Sequence, residues 1–285
     1  MPAGIVLTLS CPDAPGLIAE TSGFIHAQDY NIIESAQFTD GTTRGFFMRL
    51  LAEPVNDGAP GIAALREAFG EIAARRGMRF TIAERDRKLR ALVMVSSFDH
   101  CLNDLLYRVS IGALPVEIAA VVSNHRASYQ RVAAQGIDFL HIPVTPDTKD
   151  RAEARLMEIV EAESIDVVVL ARYMQVLSDD VCRSLPGRII NIHHSFLPSF
   201  KGARPYHQAF SRGVKLIGAT AHYVTADLDE GPIIEQESLR CDQVTSPEAL
   251  VALGRDVEAL VLARALKWHA EHRVLLNGNR TVVFK

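Results

Sequence analysis

An α/β protein made of two successive units is what the 285-residue sequence predicts. Three observations carry that reading. Residues 4–84 follow the order strand, helix, strand, strand, helix, strand. The remainder alternates continuous apolar runs with helical segments. Between the two lies the charge run Glu84-Arg85-Asp86-Arg87-Lys88-Leu89-Arg90, read as a solvated linker. The expected division is 1–84, a linker at 85–90, and 91–285.

In the first block, Ile5, Leu7 and Leu9 alternate as a half-buried strand does. Asp13-Ala14-Pro15-Gly16 is turn chemistry, and proline suits the first position of a helix. Leu17, Ile18, Phe24 and Ile25 fit a helix that ends near Asp29. Asn31 to Thr39 and Gly45 to Ala52 read as a hairpin turning at Asp40-Gly41. Gly61 to Arg76 is a helix with Ile62, Leu65, Phe69 and Ile72 on one face. Met78 to Ala83 closes the block as a strand. The order βαββαβ is the ferredoxin-like split unit.

The second block opens with Ala91 to Val95, apolar throughout, as a buried parallel strand requires. Val116 to Val122, Phe139 to Val144, Val167 to Leu170 and Arg188 to Ile192 are further such runs. Helices are expected between them, at about Leu102 to Gly112, Ala127 to Gln135, Lys149 to Ala162 and Asp179 to Ser184. That alternation implies a doubly wound, mostly parallel sheet. Lys215 to Thr225 and Ile233 to Leu239 then read as an antiparallel pair, followed by a helix over Pro247 to His272.

Composition excludes several classes. Hydrophobic residues make up 48% and charged residues 22%, the balance of a globular chain. The formal charge of −4 argues against general nucleic-acid binding, which needs a basic surface. Cys11, Cys101, Cys182 and Cys241 stand far apart with no CxxC pair, and are read as buried thiols. Met1 to Ser10 has neither a basic start nor a long apolar stretch, so no signal peptide or membrane span is expected and the cytoplasm is the expected compartment. No GxGxxG, GxSxG or HExxH occurs. Gly213, Gly218 and Thr220 have the spacing of a phosphate loop, but Ala219 stands where its lysine belongs. His269 and His272 read as a solvated helix face.

Two patches are dense in polar groups. The first is Asn191-Ile192-His193-His194-Ser195-Phe196-Leu197-Pro198-Ser199-Phe200-Lys201-Gly202. Asn191 and His193, two apart at a strand end, point to one side. The second runs from His222 through Asp227, Asp229 and Glu230 to Gly231-Pro232. An amide, an imidazole and a carboxylate suit acyl transfer. Asn191 donates to an oxyanion, His193 adds a hydrogen bond or moves a proton, and Asp229 accepts a proton and orients His193. Taken singly, Asn191 reads as a turn residue and Asp229 as a cap; together they favour a site. Zinc at His193, His194, His222 and Asp229 is the weaker alternative, because the spacing fits no standard site.

Ser10-Cys11-Pro12-Asp13-Ala14-Pro15-Gly16-Leu17-Ile18-Ala19 resembles the opening of an ACT domain, a small module that often binds amino acids. The resemblance implies a regulatory or oligomerising role, with Asp13, Gly16 and Leu17 as candidate effector contacts, and a homo-oligomer. Asn191-Ile192-His193 with Ser195, Leu197 and Pro198, together with His222 and Leu228-Asp229-Glu230-Gly231-Pro232, resembles the folate-dependent formyltransferase family over Ala91 to about Leu250. That likeness implies Asn191, His193 and Asp229 as the catalytic trio, with His222 in support. It also implies a folate pocket lined by Ala171, Arg172, Tyr173, Met174, Val224, Thr225 and Asp227, and no metal. Arg172, Lys201 and Arg204 are candidates for the folate tail.

The sequence departs from the nucleotide-using members. Ser97-Phe98-Asp99-His100 puts an acid where they hold a phosphate, and His194 replaces a proline. With an ACT-like block in front, the chain resembles the hydrolytic members of the family. Asp99-His100-Cys101-Leu102-Asn103-Asp104-Leu105-Leu106-Tyr107-Arg108, Ala171-Arg172-Tyr173-Met174-Gln175-Val176-Leu177 and Gly202-Ala203-Arg204-Pro205-Tyr206-His207-Gln208-Ala209 extend that likeness. It implies hydrolysis of 10-formyltetrahydrofolate to formate and tetrahydrofolate, with folate as substrate and no cofactor. The alternatives are formyl transfer to a small amine, or a non-catalytic folate- or amino-acid-binding regulator.

Overall fold

The structure is a computed structural model that describes residues 2–198, 205–241 and 246–285. Its chain divides into two compact units. The first contains β1 (Ile5–Pro12), α1 (Leu17–Ala27), β2 (Tyr30–Asp40), β3 (Gly45–Pro54), α2 (Ile62–Arg76) and β4 (Arg79–Glu84). These form an antiparallel sheet in the order β2-β3-β1-β4, the ferredoxin-like arrangement. Alternation decides the faces. Phe46, Met48, Leu50 and Ala52 of β3 join Leu65 and Phe69 of α2 and Leu17 and Ile25 of α1 in one core.

The second unit begins at Lys88. It contains β5 (Leu89–Val95), α3 (His100–Ser110), β6 (Val116–Ser123), α4 (Tyr129–Ala133), β7 (Asp138–His141), α5 (Lys149–Ala162), β8 (Val167–Leu170), α6 (Asp179–Ser184), β9 (Ile189–His193), α7 (Pro205–Ser211), β10 (Leu216–Tyr223), β11 (Ile233–Arg240) and α8 (Pro247–Ala270). The sheet order is β11-β10-β9-β8-β5-β6-β7. Strands β5 to β9 pair in parallel, whereas β10 runs antiparallel to β9 and to β11. The order reverses between β5 and β8, so the loops leaving those strands flank a switch-point crevice. Val168, Leu170, Leu92, Met94 and Val122 bury one sheet face against Leu156, Ile159 and Val160 of α5.

Two boundaries differ from the sequence expectation. Leu89 and Arg90 are not linker. The Arg90 amide donates to Asp166 Oδ2 at 2.8 Å, which starts β5 two residues early. The end of the chain also leaves the second block. Residues 271–277 and 281–285 group with the first unit, as the hairpin β12 (Val274–Asn277) and β13 (Arg280–Val283). Leu275, Val282 and Phe284 pack on Phe47, on the opposite face of β3 from the main core. Arg49, 4% exposed, donates to Glu34 and to the Glu271 carbonyl, and Asn277 donates to Asp40.

Candidate active site

Polar side chains gather beside the carboxyl ends of β8 and β9. The pairing of β10 on β9 sets His222 opposite Asn191 and Thr220 opposite His193. Asn191 Nδ2 lies 3.1 Å from His222 Nε2, and His222 Nδ1 lies 2.9 Å from the Tyr223 carbonyl oxygen. A carbonyl only accepts, so His222 carries its proton on Nδ1 and its Nε2 accepts from Asn191. Burial lowers the His222 imidazole from its ordinary value and keeps it neutral. The Asn191 amide is thereby held with its NH2 toward His222, which leaves a second N–H for a ligand.

Asp229 comes from the loop after β10 and has a left-handed φ of 56°. Its Oδ1 lies 3.4 Å from His193 Nδ1 and 3.8 Å from His222 Nε2. The hydrogen bond with His193 is the main cause holding the Asp229 carboxyl below the usual carboxylate range. It is therefore an ionised acceptor at neutral pH. His193 Nε2 is buried and has no hydrogen-bond partner. Both nitrogens of His222 are engaged, which disfavours the zinc alternative at this cluster.

The trio opens into a cleft of about 400 Å³. Arg172, Tyr173 and Met174 line one wall, and Val224, Thr225 and Asp227 another. The exposed Met174, Val176 and Leu228 give it an apolar rim suited to a flat ring system. Ala171 is fully buried behind this wall, its amide donating to Met94. Burial pushes the Tyr173 phenol up to about 12. Lys201 and Arg204 lie outside the described residues. In the first unit, the Asp13 amide donates to the Arg44 carbonyl, Gly16 caps α1, and Leu17 is core at 2% exposure.

His194 is pushed down to about 4, by burial first and then by the Arg172 charge. Its unfolded counterpart protonates near 6.5, so from pH 6.5 down to 4 the unfolded chain binds a proton that the native chain does not. Stability therefore falls with pH across that window, by roughly 3 kcal/mol for this group. His194→Asn is expected to flatten that part of a urea-unfolding series. An unchanged slope would deny His194 this role.

Sequence reasoning missed the support around the trio. Thr220, fully buried, donates to the Ser195 carbonyl and accepts from the Leu197 amide and from Gln236 Nε2. These bonds hold the turn that follows His193 and His194. The hint in the sequence was a threonine inside the mostly apolar run 216–221. A second cluster gathers His100, Arg172 and Tyr206 on Glu258 of α8, across separations no motif records.

A family model described as formyl transferase matches residues 89–266. The chain belongs to the formyl transferase family. Formyltetrahydrofolate deformylase of Corynebacterium sp. (strain P-1) is 50% identical over 281 residues, covering 98% of each chain. The crystal structure of formyltetrahydrofolate deformylase from Burkholderia mallei ATCC 23344 superposes with a TM-score of 0.94 at 48% identity and covers 100% of both chains. A glycinamide ribonucleotide transformylase from Symbiobacterium toebii shares 31% identity with a TM-score of 0.66, covering 70% of this chain and 95% of that one. The formyl transferase match thus falls within the second unit, whereas the deformylase likeness spans both.

Proposed function

We propose that the chain hydrolyses 10-formyltetrahydrofolate to formate and tetrahydrofolate. The observation that carries this reading is the convergence of Asn191, His193 and Asp229 at one cleft, in a chain alike over its full length to proteins named as deformylases. Water adds to the formyl carbon while Asp229 takes its proton. The carbonyl electrons move to oxygen, where the free N–H of Asn191 receives the negative charge; His193, its Nδ1–H held by Asp229, adds a second donor when its ring also carries a proton on Nε2. One such donor is worth about 3–4 kcal/mol of barrier. Collapse breaks the carbon–nitrogen bond, and the proton held at Asp229 passes to the departing nitrogen. Formate and tetrahydrofolate leave. Folate is the substrate, and the scheme calls for no metal or cofactor.

The same proposal assigns the first unit to an amino-acid effector and to self-association. Its ferredoxin-like sheet and its edge strand β2, with Ile33 and Phe38 exposed, support that assignment. Four buried cysteine thiols, far apart in the sequence, support a reducing compartment such as the cytoplasm. No helix of the described residues is long and apolar enough to cross a membrane.

Incubating the protein with 10-formyltetrahydrofolate and no amine acceptor tests the reaction. Formate released in step with folate consumed is the expected result. Consumption that begins only when an amine is added would replace hydrolysis with transfer.

A further inference from the structure

Glu258 takes no step in the reaction above, yet its carboxylate is held inside the protein at 1% exposure. Oε1 accepts from the Tyr206 hydroxyl at 2.6 Å and Oε2 from His100 Nε2 at 2.8 Å, with Arg172 Nη1 3.4 Å from Oε2. Burial alone would raise this carboxyl. The His100 bond, the Arg172 charge and the Tyr206 bond outweigh burial and hold it below its ordinary value. His100 opens α3 after β5, and Arg172 follows β8. The two donors therefore flank the switch-point crevice, where open α/β sheets bind ligands. The Tyr206 ring lies 6.1 Å from His194, whose ring lies 5.2 Å from His193. One carboxylate thus reaches the Arg172 wall of the cleft directly and the cleft-lining His194 through Tyr206.

Two further features serve this arrangement. Gly254 lies one turn before Glu258 on α8, and a Cβ there would overlap the Tyr206 hydroxyl. Glycine weakens a helix interior relative to alanine; here it is the notch through which Tyr206 reaches Glu258. Arg172 has a left-handed φ of 65°, sparse for a non-glycine residue, and its Nε and Nη1 are buried without hydrogen-bond partners. The charge of Glu258 and the face of Phe98, whose ring centroid is 5.5 Å from the Arg172 Cζ, steady that guanidinium.

We propose that Glu258 is a positioning residue for the hydrolysis: it fixes Arg172 on the folate wall and, through Tyr206, His194 beside His193, and so sets the width of the cleft. The inference rests on the hydrolase reading. Donor atoms of His100, Cys101 and Glu258 lie within 4.8 Å of one another, but a cation fits them poorly. Burial and the Glu258 charge push the Cys101 thiol well up, and Arg172 already balances the carboxylate.

The test uses the full chain in three single variants, with kcat and KM for formate release and the melting temperature as readouts. Glu258→Gln loosens Arg172 and, through Tyr206, His194, so kcat is expected to fall at least about tenfold and KM to rise about threefold or more. Tyr206→Phe cuts only the branch to His194, so kcat falls about fivefold with KM little changed. Gly254→Ala fills the notch and pushes the Tyr206 hydroxyl off Glu258, so kcat falls about fivefold with KM little changed, as in Tyr206→Phe. The last two variants decide the matter if Glu258→Gln does not fold. Kinetics within about twofold of the parent in Tyr206→Phe and Gly254→Ala would overturn the proposal, as would a Glu258→Gln protein that loses melting temperature alone. If the parent releases no formate, the hydrolase reading fails instead. Glu258 is then judged by tetrahydrofolate affinity, which Glu258→Gln must weaken.

Discussion

Asp229→Asn is expected to fold normally and to lose at least about 100-fold in kcat. Asparagine is nearly isosteric and tolerates the left-handed backbone, so the φ of 56° adds no new strain. What disappears is the charge. An amide cannot take the proton of water, and it no longer holds His193 Nδ1 as a carboxylate does from 3.4 Å. Because His193 keeps the Asp229 carboxyl below its ordinary value, the base is ionised at neutral pH. Rate and melting temperature measured on the same preparation separate chemistry from folding. A variant that turns over within about threefold of the parent would remove Asp229 from the mechanism.

Gly231→Ala should do comparable damage from a position that touches no substrate. A Cβ on Gly231 would overlap the Tyr223 carbonyl oxygen and stand 3.4 Å from His222 Nδ1. That oxygen is the one that accepts from His222 Nδ1, and the Tyr223 amide donates to Pro232 at 2.9 Å. One methyl group therefore pries the 229–232 segment from β10. It takes Asp229 away from His193 and frees the His222 Nδ1 proton whose placement leaves Nε2 to accept from Asn191. Backbone cannot step aside as a side chain can, so overpacking here costs about 1–3 kcal/mol of stability. The accompanying loss in kcat is expected to be about 100-fold, as for other misplacements of about 1 Å. Urea unfolding and formate release measure the two effects. Parental values for both would show that the close approach is relieved elsewhere at no cost.

The fold was largely legible because its signals are local. Alternation at Ile5, Leu7 and Leu9 and the apolar run at 91–95 report burial directly, and the structure buries those residues. The spacing of Asn191 and His193 on a strand put them on one side, and β9 carries both. Sequence did not reveal pairings that only tertiary structure creates. Glu258 meets His100 across 158 positions and Tyr206 across 52, and within α8 it reads as an ordinary helical acid. The hairpin at 274–283 was missed for a related reason. Val274, Leu275 and Leu276 form an apolar run too short to distinguish from a helix end. Leu89 and Arg90 were hidden by charge, since Arg90 satisfies its guanidinium on Glu117 and Glu163 rather than in water.

The return of residues 271–277 and 281–285 to the first unit makes the catalytic unit an insertion within its neighbour rather than a module strung after it. A minimal catalyst cannot be released by one cut in the linker, because its other end still runs into the hairpin that packs on the neighbour. Shortening the chain after α8 would injure the wrong half. It would strip Phe47 and Arg49 of their cover and leave the active-site side chains untouched. Any attempt to graft a different sensor onto this catalyst must therefore splice at both 87/88 and 270/271.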